Sequence, residues 1–185
     1  MRLFVAVELT PEVHEVVCGV VERLRRAEAD VRWVRPEGMH LTLKFIGEVR
    51  PEKLEPIRQA LAGITAEAPV QLGFRGLGYF PNPRRPRVLW IGVEASANLA
   101  PLAAQVEAAL TPLGIAPEKR AYAPHLTLGR FRSEKQLARL QEEIASLSSK
   151  DFGSFETHAL ALFQSKLSPH GAEYTRLDEF PFARG

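Results

Sequence analysis

A single cysteine, Cys18, occurs among 185 residues. An intramolecular disulfide is therefore impossible, and a cysteine-rich zinc site is excluded. Cys18 falls in or beside the apolar periodicity of a helix, so packing is its expected role. No uninterrupted apolar run approaches the ~20 residues that cross a bilayer. The N-terminus lacks a basic head followed by an apolar stretch. A soluble cytoplasmic protein with no membrane partner is the expectation. Neither sign of charge is in excess: the formal net charge is +2 and the pI is about 8.8. That balance does not mark a nucleic-acid binder by itself, but it permits an anionic substrate. No Walker phosphate loop and no dinucleotide-binding glycine fingerprint is present.

What remains is ordinary globular material, 45% hydrophobic and 25% charged. It suits one compact domain, or two small lobes sharing a core. Histidine is sparse, with five in the chain, yet two of them open the same word: HLTL begins at His40 and again at His125, 85 positions later.

The surrounding pattern places both words on strands. Leu3 to Leu9 is β-branched and apolar and reads as a strand. Thr10 can cap a following helix with Pro11 in its first turn. Val13, Val16, Val17, Val20, Val21 and Leu24 recur on one helical face, leaving Arg23, Arg25 and Arg26 to solvent. Val31 to Val34 is extended, and Pro36 to Gly38 turns the chain into MHLTLKFIG. There His40, Thr42 and Lys44 alternate with Leu41, Leu43 and Phe45, which predicts one polar and one apolar strand face.

Pro51 to Leu61 reads as a short helix, provided Pro56 lies near its start. Val70 to Phe74 is a predicted strand. Gly76 to Arg87 reads as a loop, either only a hairpin connection or, given Tyr79, Phe80, Arg84, Arg85 and Arg87, a nucleotide-contacting segment. Val88 to Glu94 is a strand. Leu99, Leu102, Ala103, Val106, Leu110 and Leu113 mark a second amphipathic helix. Pro124 leads into HLTLGR. Ser133 and Gln136 suit a capping box for a third long helix carrying Leu137, Leu140, Ile144 and Leu147. His158 to Phe163 is a strand, Ser168 to Gly171 a turn, and Glu173 to Leu177 a return strand. The terminal FPF is either a core anchor or a loose tail.

Strand, helix, HLTL strand, helix, strand occurs in that order twice, and Phe4 and Leu89 share the 85-residue offset of the histidines. An internal duplication is expected, with approximate repeats 1–76 and 86–164 in a single domain spanning 1–185. The fold class is α+β: two pseudo-symmetric lobes, with both HLTL strands at their junction.

Histidine titrates near neutral pH, so a pair can supply one general base and one general acid. In-line displacement at phosphorus needs those two groups on opposite sides of the phosphorus, as opposed lobes allow. Thr42 and Thr127 lie two residues beyond the histidines, on the same strand face, where their hydroxyls can bond nonbridging phosphate oxygens. Arg130 can add positive charge, but strict alternation carries it off the His125 face, so a bend is required to return it. Lys44 has the favourable parity, as would a solvated lysine. Two imidazoles could bind a metal with Glu or Asp from elsewhere, but no nearby Cys or third His completes such a site, and no metal is expected. His14, His158 and His170 lack the duplicated context and are expected to be structural or surface residues.

These motifs resemble the 2H phosphoesterase superfamily, named for two H-x-T/S-x words. Within it the chain is similar to the RNA 2′,3′-cyclic phosphodiesterases, historically called 2′-5′ RNA ligases. The likeness extends through LFVAVEL, HLTLKFIG, GLGYFPNPRRPRVLWIGV, PHLTLGR and SKLSPHGAEYTRL. The resemblance implies a bilobal fold with antiparallel sheets flanking a central cleft. It implies cofactor-free, metal-independent hydrolysis of an RNA terminal 2′,3′-cyclic phosphate to a 2′-phosphate. It gives His40 the role of proton donor to the 3′ oxygen and His125 that of base for water, with Thr42, Thr127 and Arg130 on the phosphate. The partner is then an RNA or oligonucleotide end. No protein partner is needed, since one chain carries both halves and a monomer suffices. ATP-independent 2′-5′ RNA ligation and non-catalytic binding of RNA ends are the alternative readings.

Overall fold

The computed structural model describes residues 1–147, 150–168 and 171–182. Strand β1 (Arg2–Glu8) runs into helix α1 (Pro11–Arg25) through Thr10, whose Oγ1 accepts the Val13 N–H at 3.5 Å. That bond satisfies a first-turn donor that the helix itself leaves open. Val13, Val17, Val20, Val21 and Leu24 are buried, as the periodicity predicts, while Val16 lies outside the stripe and is 45% exposed. Cys18 is half-buried beside His14 and Met39, and burial pushes its thiol pKa up, which disfavours the thiolate a nucleophile needs.

The chain continues through β2 (Val31–Trp33), β3 (His40–Glu48), α2 (Leu54–Ala62), β4 (Val70–Phe80) and β5 (Val88–Ala95). Then come α3 (Leu99–Leu110), β6 (His125–Phe131), α4 (Leu137–Ala145), β7 (Asp151–Thr157), β8 (Ala159–Ser168) and β9 (Gly171–Pro181). Pro56 is the third residue of α2, where no intrahelical N–H bond is required of it.

Several sequence expectations change or are resolved. The predicted loop at Gly76 to Arg87 is half strand: a bulge between Arg75 and Leu77, with Gly76 at φ +69, absorbs the glycine while pairing continues to Phe80. The Ser133–Gln136 capping box does not form, because the Ser133 hydroxyl donates to Asp30 Oδ2 at 2.7 Å instead. Helix α4 accordingly starts without a side-chain cap and is only nine residues long. Strand β7, with its mixed sequence DFGSFET, has no clear period and escapes prediction. The chain end is an anchor: Phe180 and Phe182 pack on the core, and the Phe182 N–H donates to His158 O at 2.8 Å. The predicted turn at 168–171 and His170 lie wholly or partly outside the described residues.

The strands form two antiparallel sheets, ordered β3-β1-β8-β9 and β2-β6-β5-β4-β7. Each sheet draws strands from both ends of the chain: β4 pairs with β5 and β7, while β8 and β9 complete the first sheet. Helix α1 packs on β7 and α4, and α3 packs on β3 and α2, so the helices also bridge the two halves. One continuous core includes Leu3, Val5, Leu41, Leu43, Ile91, Leu126 and Leu128. A smaller cluster of Phe4, Ala6, Ala161 and Phe163 covers the other face of the first sheet.

Lys44 departs from both readings that alternation allowed. It is 3% exposed, and its Nζ donates to Ala116 O at 2.8 Å and approaches Glu118 and Glu107 at 3.5 and 3.8 Å. A buried ammonium persists only when such partners replace its water. Lys44→Ala, which removes the bond and leaves a cavity, is expected to destabilise the fold by about 2–3 kcal/mol. Denaturant unfolding read by circular dichroism measures it; a midpoint equal to that of the parent protein would contradict it.

Candidate active site

Both HLTL words form strands, and the two strands share an irregularity. Along β3, Thr42 pairs with Ala6 but Lys44 pairs with Val5, so two residues of β3 oppose one step of β1. Along β6, Thr127 pairs with Trp90 but Gly129 pairs with Leu89. The extra residue is Leu43 in one strand and Leu128 in the other, the last letter of each HLTL. These registers relate β1 to β5 by 84 positions, one fewer than the offset read from Phe4 and Leu89.

A one-residue bulge reverses the facing of everything beyond it. Leu41, Leu43 and then Lys44 turn inward and are buried, and Phe45 returns to the face of His40 and Thr42. Leu126, Leu128 and then Gly129 turn inward, and Arg130 returns to the face of His125 and Thr127. The bend that Arg130 requires is thus present. Gly129 admits the neighbouring strand closely: a Cβ there would lie 2.5 Å from Val31 Cγ1.

The strands β3 and β6 come into contact across the junction of the two sheets. The segment preceding His125 is tied to β3 at two points. One is Lys44 on Ala116 O; the other is the Tyr122 hydroxyl, which donates to Thr42 O at 3.1 Å. Burial pushes the Tyr122 pKa up, so this hydroxyl keeps its proton.

The two histidines sit in different surroundings. His40 is half-buried and stacks on Phe4, with centroids 4.6 Å apart and planes 20° from parallel. Phe163 lies 5.4 Å from the same imidazole, and Tyr174 meets it edge-on at 5.4 Å. Loss of water in this aromatic nest lowers the His40 pKa to about 4. The ligand-free imidazole is therefore neutral at pH 7. His125 instead bonds the Ala123 carbonyl through Nδ1 at 2.9 Å. A carbonyl can only accept, so Nδ1 carries hydrogen and Nε2 of the neutral ring offers its lone pair.

Phe80 meets the His125 ring edge-on at 5.0 Å and tilts against Trp90 at 5.1 Å. Trp90 lies over Gly78, where a Cβ would run into the indole. Its Nε1 is the one buried side-chain polar atom without a partner among the described residues.

Sequence reasoning missed Phe4, Phe163, Tyr174 and Trp90 as neighbours of the motif, and placed Phe80 in a loop rather than at a strand end. Only the alternation of Phe4 with Leu3 and Val5 hinted at a second buried face on β1. Arg84, Arg85 and Arg87 are exposed, and the Asn82 side chain accepts the backbone N–H groups of Arg84 and Arg85. His14 bonds Pro36 O, in the turn before the first motif, and His158 pairs with Glu156. A hollow of about 370 Å³ borders Tyr174 and includes Arg35 and Gly38. Another of about 300 Å³, lined by Glu8, Thr10 and His158 among others, contains no motif residue. No group of three or more His, Cys, Asp or Glu gathers to hold a metal among the described residues, and none of their helices is long and apolar enough to cross a membrane.

The pattern described as LigT like phosphoesterase matches twice, over residues 7–90 and 91–174. The chain is similar to the RNA 2′,3′-cyclic phosphodiesterase of Methanothermobacter thermautotrophicus, with 35% identity covering 97% of this chain and 98% of that one. Its fold is similar to that of a Thermus thermophilus protein solved by crystallography, with a TM-score of 0.81, 32% identity and coverage of 100% and 99%. It is also similar to E. coli LigT complexed with 3′-AMP, with a TM-score of 0.76, 26% identity and coverage of 98% and 97%.

Proposed function

The chain belongs to the LigT-like phosphoesterase family, and on that premise we propose that it is an RNA 2′,3′-cyclic phosphodiesterase, opening the terminal cyclic phosphate to a 2′-phosphate. The observation that carries the reading is the contact between the two HLTL strands. Alternation sets His40 and Thr42 on one strand face and His125 and Thr127 on another, and the bulge at Leu128 returns Arg130 to the face of His125.

His125 Nε2 takes a proton from water as the water oxygen bonds to phosphorus. The bond from phosphorus to the 3′ oxygen breaks, and His40 gives that oxygen its proton. The products are a 2′-phosphate and a 3′-hydroxyl. Thr42 and Thr127 donate hydroxyl hydrogens to the nonbridging oxygens, and Arg130 balances the charge that grows there. The nest around His40 keeps it neutral until substrate arrives. A bound phosphodiester anion favours the imidazolium and so loads the donor.

The substrate is an RNA or oligonucleotide end, a reading supported by the 3′-AMP complex of the similar E. coli protein. The working form is a cytoplasmic monomer that needs neither metal nor cofactor, since proton transfer and charge balance are both supplied by side chains. The duplicated HLTL words, with equal bulges, support descent from a doubled unit.

The test is incubation of chelator-treated protein with RNA bearing a 2′,3′-cyclic phosphate end. Conversion to a 2′-phosphate end at undiminished rate is expected. Persistence of the cyclic end, or joining to a 5′-hydroxyl RNA in preference to hydrolysis at dilute RNA, would overturn the reading.

A further inference from the structure

The second sheet has one strand more than the first. Matching β3 to β6 and β1 to β5 leaves β2 without a counterpart, as an edge beyond β6. Its register is short and definite: Val31 pairs with Phe131, Arg32 with Arg130 and Trp33 with Gly129. Val31 and Trp33 close over Gly129, on the inward side of β6. Arg32 alternates with them and so shares the outward face with its register partner Arg130. Beyond Arg130 on that face come Val88 and then Phe80, which is 38% exposed. The corresponding level of the first sheet is aromatic, with Phe45, Phe4 and Phe163 in register.

Two guanidiniums directly opposite each other on neighbouring strands repel. Both are exposed, and neither has a carboxylate within 4.0 Å among the described residues. Exposed Arg75, Arg139 and Arg176 each have one, while Arg84, Arg85 and Arg87, also exposed, have none among the described residues. An anion lying between Arg32 and Arg130 turns the repulsion into attraction. If Arg130 holds the reacting phosphate, Arg32 stands one strand spacing, about 4.8 Å, further out. Phosphates follow one another along an RNA strand, and the linkage before the terminal nucleotide is the next one.

We propose that β2 adds a second phosphate subsite to the cleft, in which Arg32 binds the phosphodiester on the 5′ side of the terminal nucleotide. This deepens the reading above and rests on it. The subsite selects oligonucleotide ends over nucleoside 2′,3′-cyclic phosphates, which have no such linkage. Arg32 is a specificity residue and takes no part in proton transfer.

The experiment compares a nucleoside 2′,3′-cyclic phosphate with a dinucleotide ending in the same cyclic nucleotide, in the parent protein, Arg32→Gln, Arg32→Lys and the remote control Arg25→Gln. In the parent protein KM is expected to be lower for the dinucleotide. Arg32→Gln reduces that advantage about tenfold, Arg32→Lys restores most of it, and Arg25→Gln leaves it alone. The log–log salt slope of dinucleotide kcat/KM flattens by about 0.7 in Arg32→Gln, as for one lost phosphate contact. Equal KM changes for both substrates, or none for either, would overturn the subsite.

Equilibrium titration with the two 2′-phosphate products reads the same ratio without turnover. If the parent protein hydrolyses neither substrate, the cyclic phosphodiesterase reading fails on its own. The subsite then stands only if Arg32→Gln weakens the dinucleotide product about tenfold more than the mononucleotide product, and falls if both weaken alike.

Discussion

His125→Ala is expected to lower kcat on a cyclic-phosphate RNA end by about 10³-fold, with KM changed far less. A positioned general base contributes roughly 10²–10⁴ to such a rate. The ring is oriented before substrate arrives, because Nδ1 is committed to the Ala123 carbonyl. His125→Gln fills similar space and can keep a donor toward Ala123 O, but it offers no basic nitrogen, so it should be nearly as slow as the alanine variant. Steady-state kinetics decide the point, with circular dichroism to show that the fold is retained. A glutamine variant within tenfold of the parent kcat would remove His125 from the proton path.

His40→Ala should lower kcat by about 10²–10³-fold, consistent with loss of a general acid, and the His40/His125 double variant should be little worse than the slower single one. The surroundings of His40 add a sharper expectation. Burial holds the free imidazole at about pKa 4. Its proton uptake should therefore be seen by NMR near pH 4 without ligand, and at clearly higher pH with a 2′-phosphate product bound. The direction follows from charge: an anion beside the ring favours its protonated form.

Stability follows the same linkage. The folded pKa lies below the unfolded value of about 6.5, so the unfolded chain binds more protons between those limits. The contribution of His40 is complete above about pH 6.5 and is lost as pH falls through 4, by up to roughly 3 kcal/mol. His40→Phe should weaken this acid sensitivity. If His40 stays neutral with product bound, it cannot be the donor, and the acid and base roles exchange.

The motif faces were legible because His and Thr recur two apart in a word that occurs twice, and strand alternation then leaves no choice of side. The bulge was not legible. It exists only as a mismatch between β3 and β1, and between β6 and β5, and nothing within HLTL marks it. Lys44 was misplaced for that reason, and also because its partner carbonyl at Ala116 comes from 72 positions away. The need for a bend before Arg130 was legible; its cause was not.

Both histidine environments depend on distant chain. Phe163 and Tyr174 reach His40 from β8 and β9, and Phe80 reaches His125 from β4. Local periodicity carries no record of which sheet a strand joins, so the placement of β8 beside β1 had to come from the fold; β4 and β5 form the hairpin that their connection allowed. The helices and most strands, by contrast, followed from their own apolar spacing and from Thr10, Pro11 and Pro56.

The most direct measurement is a crystal structure of the protein with an oligonucleotide 2′-phosphate bound. One phosphorus atom should sit between the imidazoles, with a nitrogen of His40 near the 3′ oxygen and Nε2 of His125 on the opposite side, each within hydrogen-bonding reach of the phosphate or its water. A phosphate held by only one of the two rings, with the other turned into a separate pocket, would contradict catalysis by the pair.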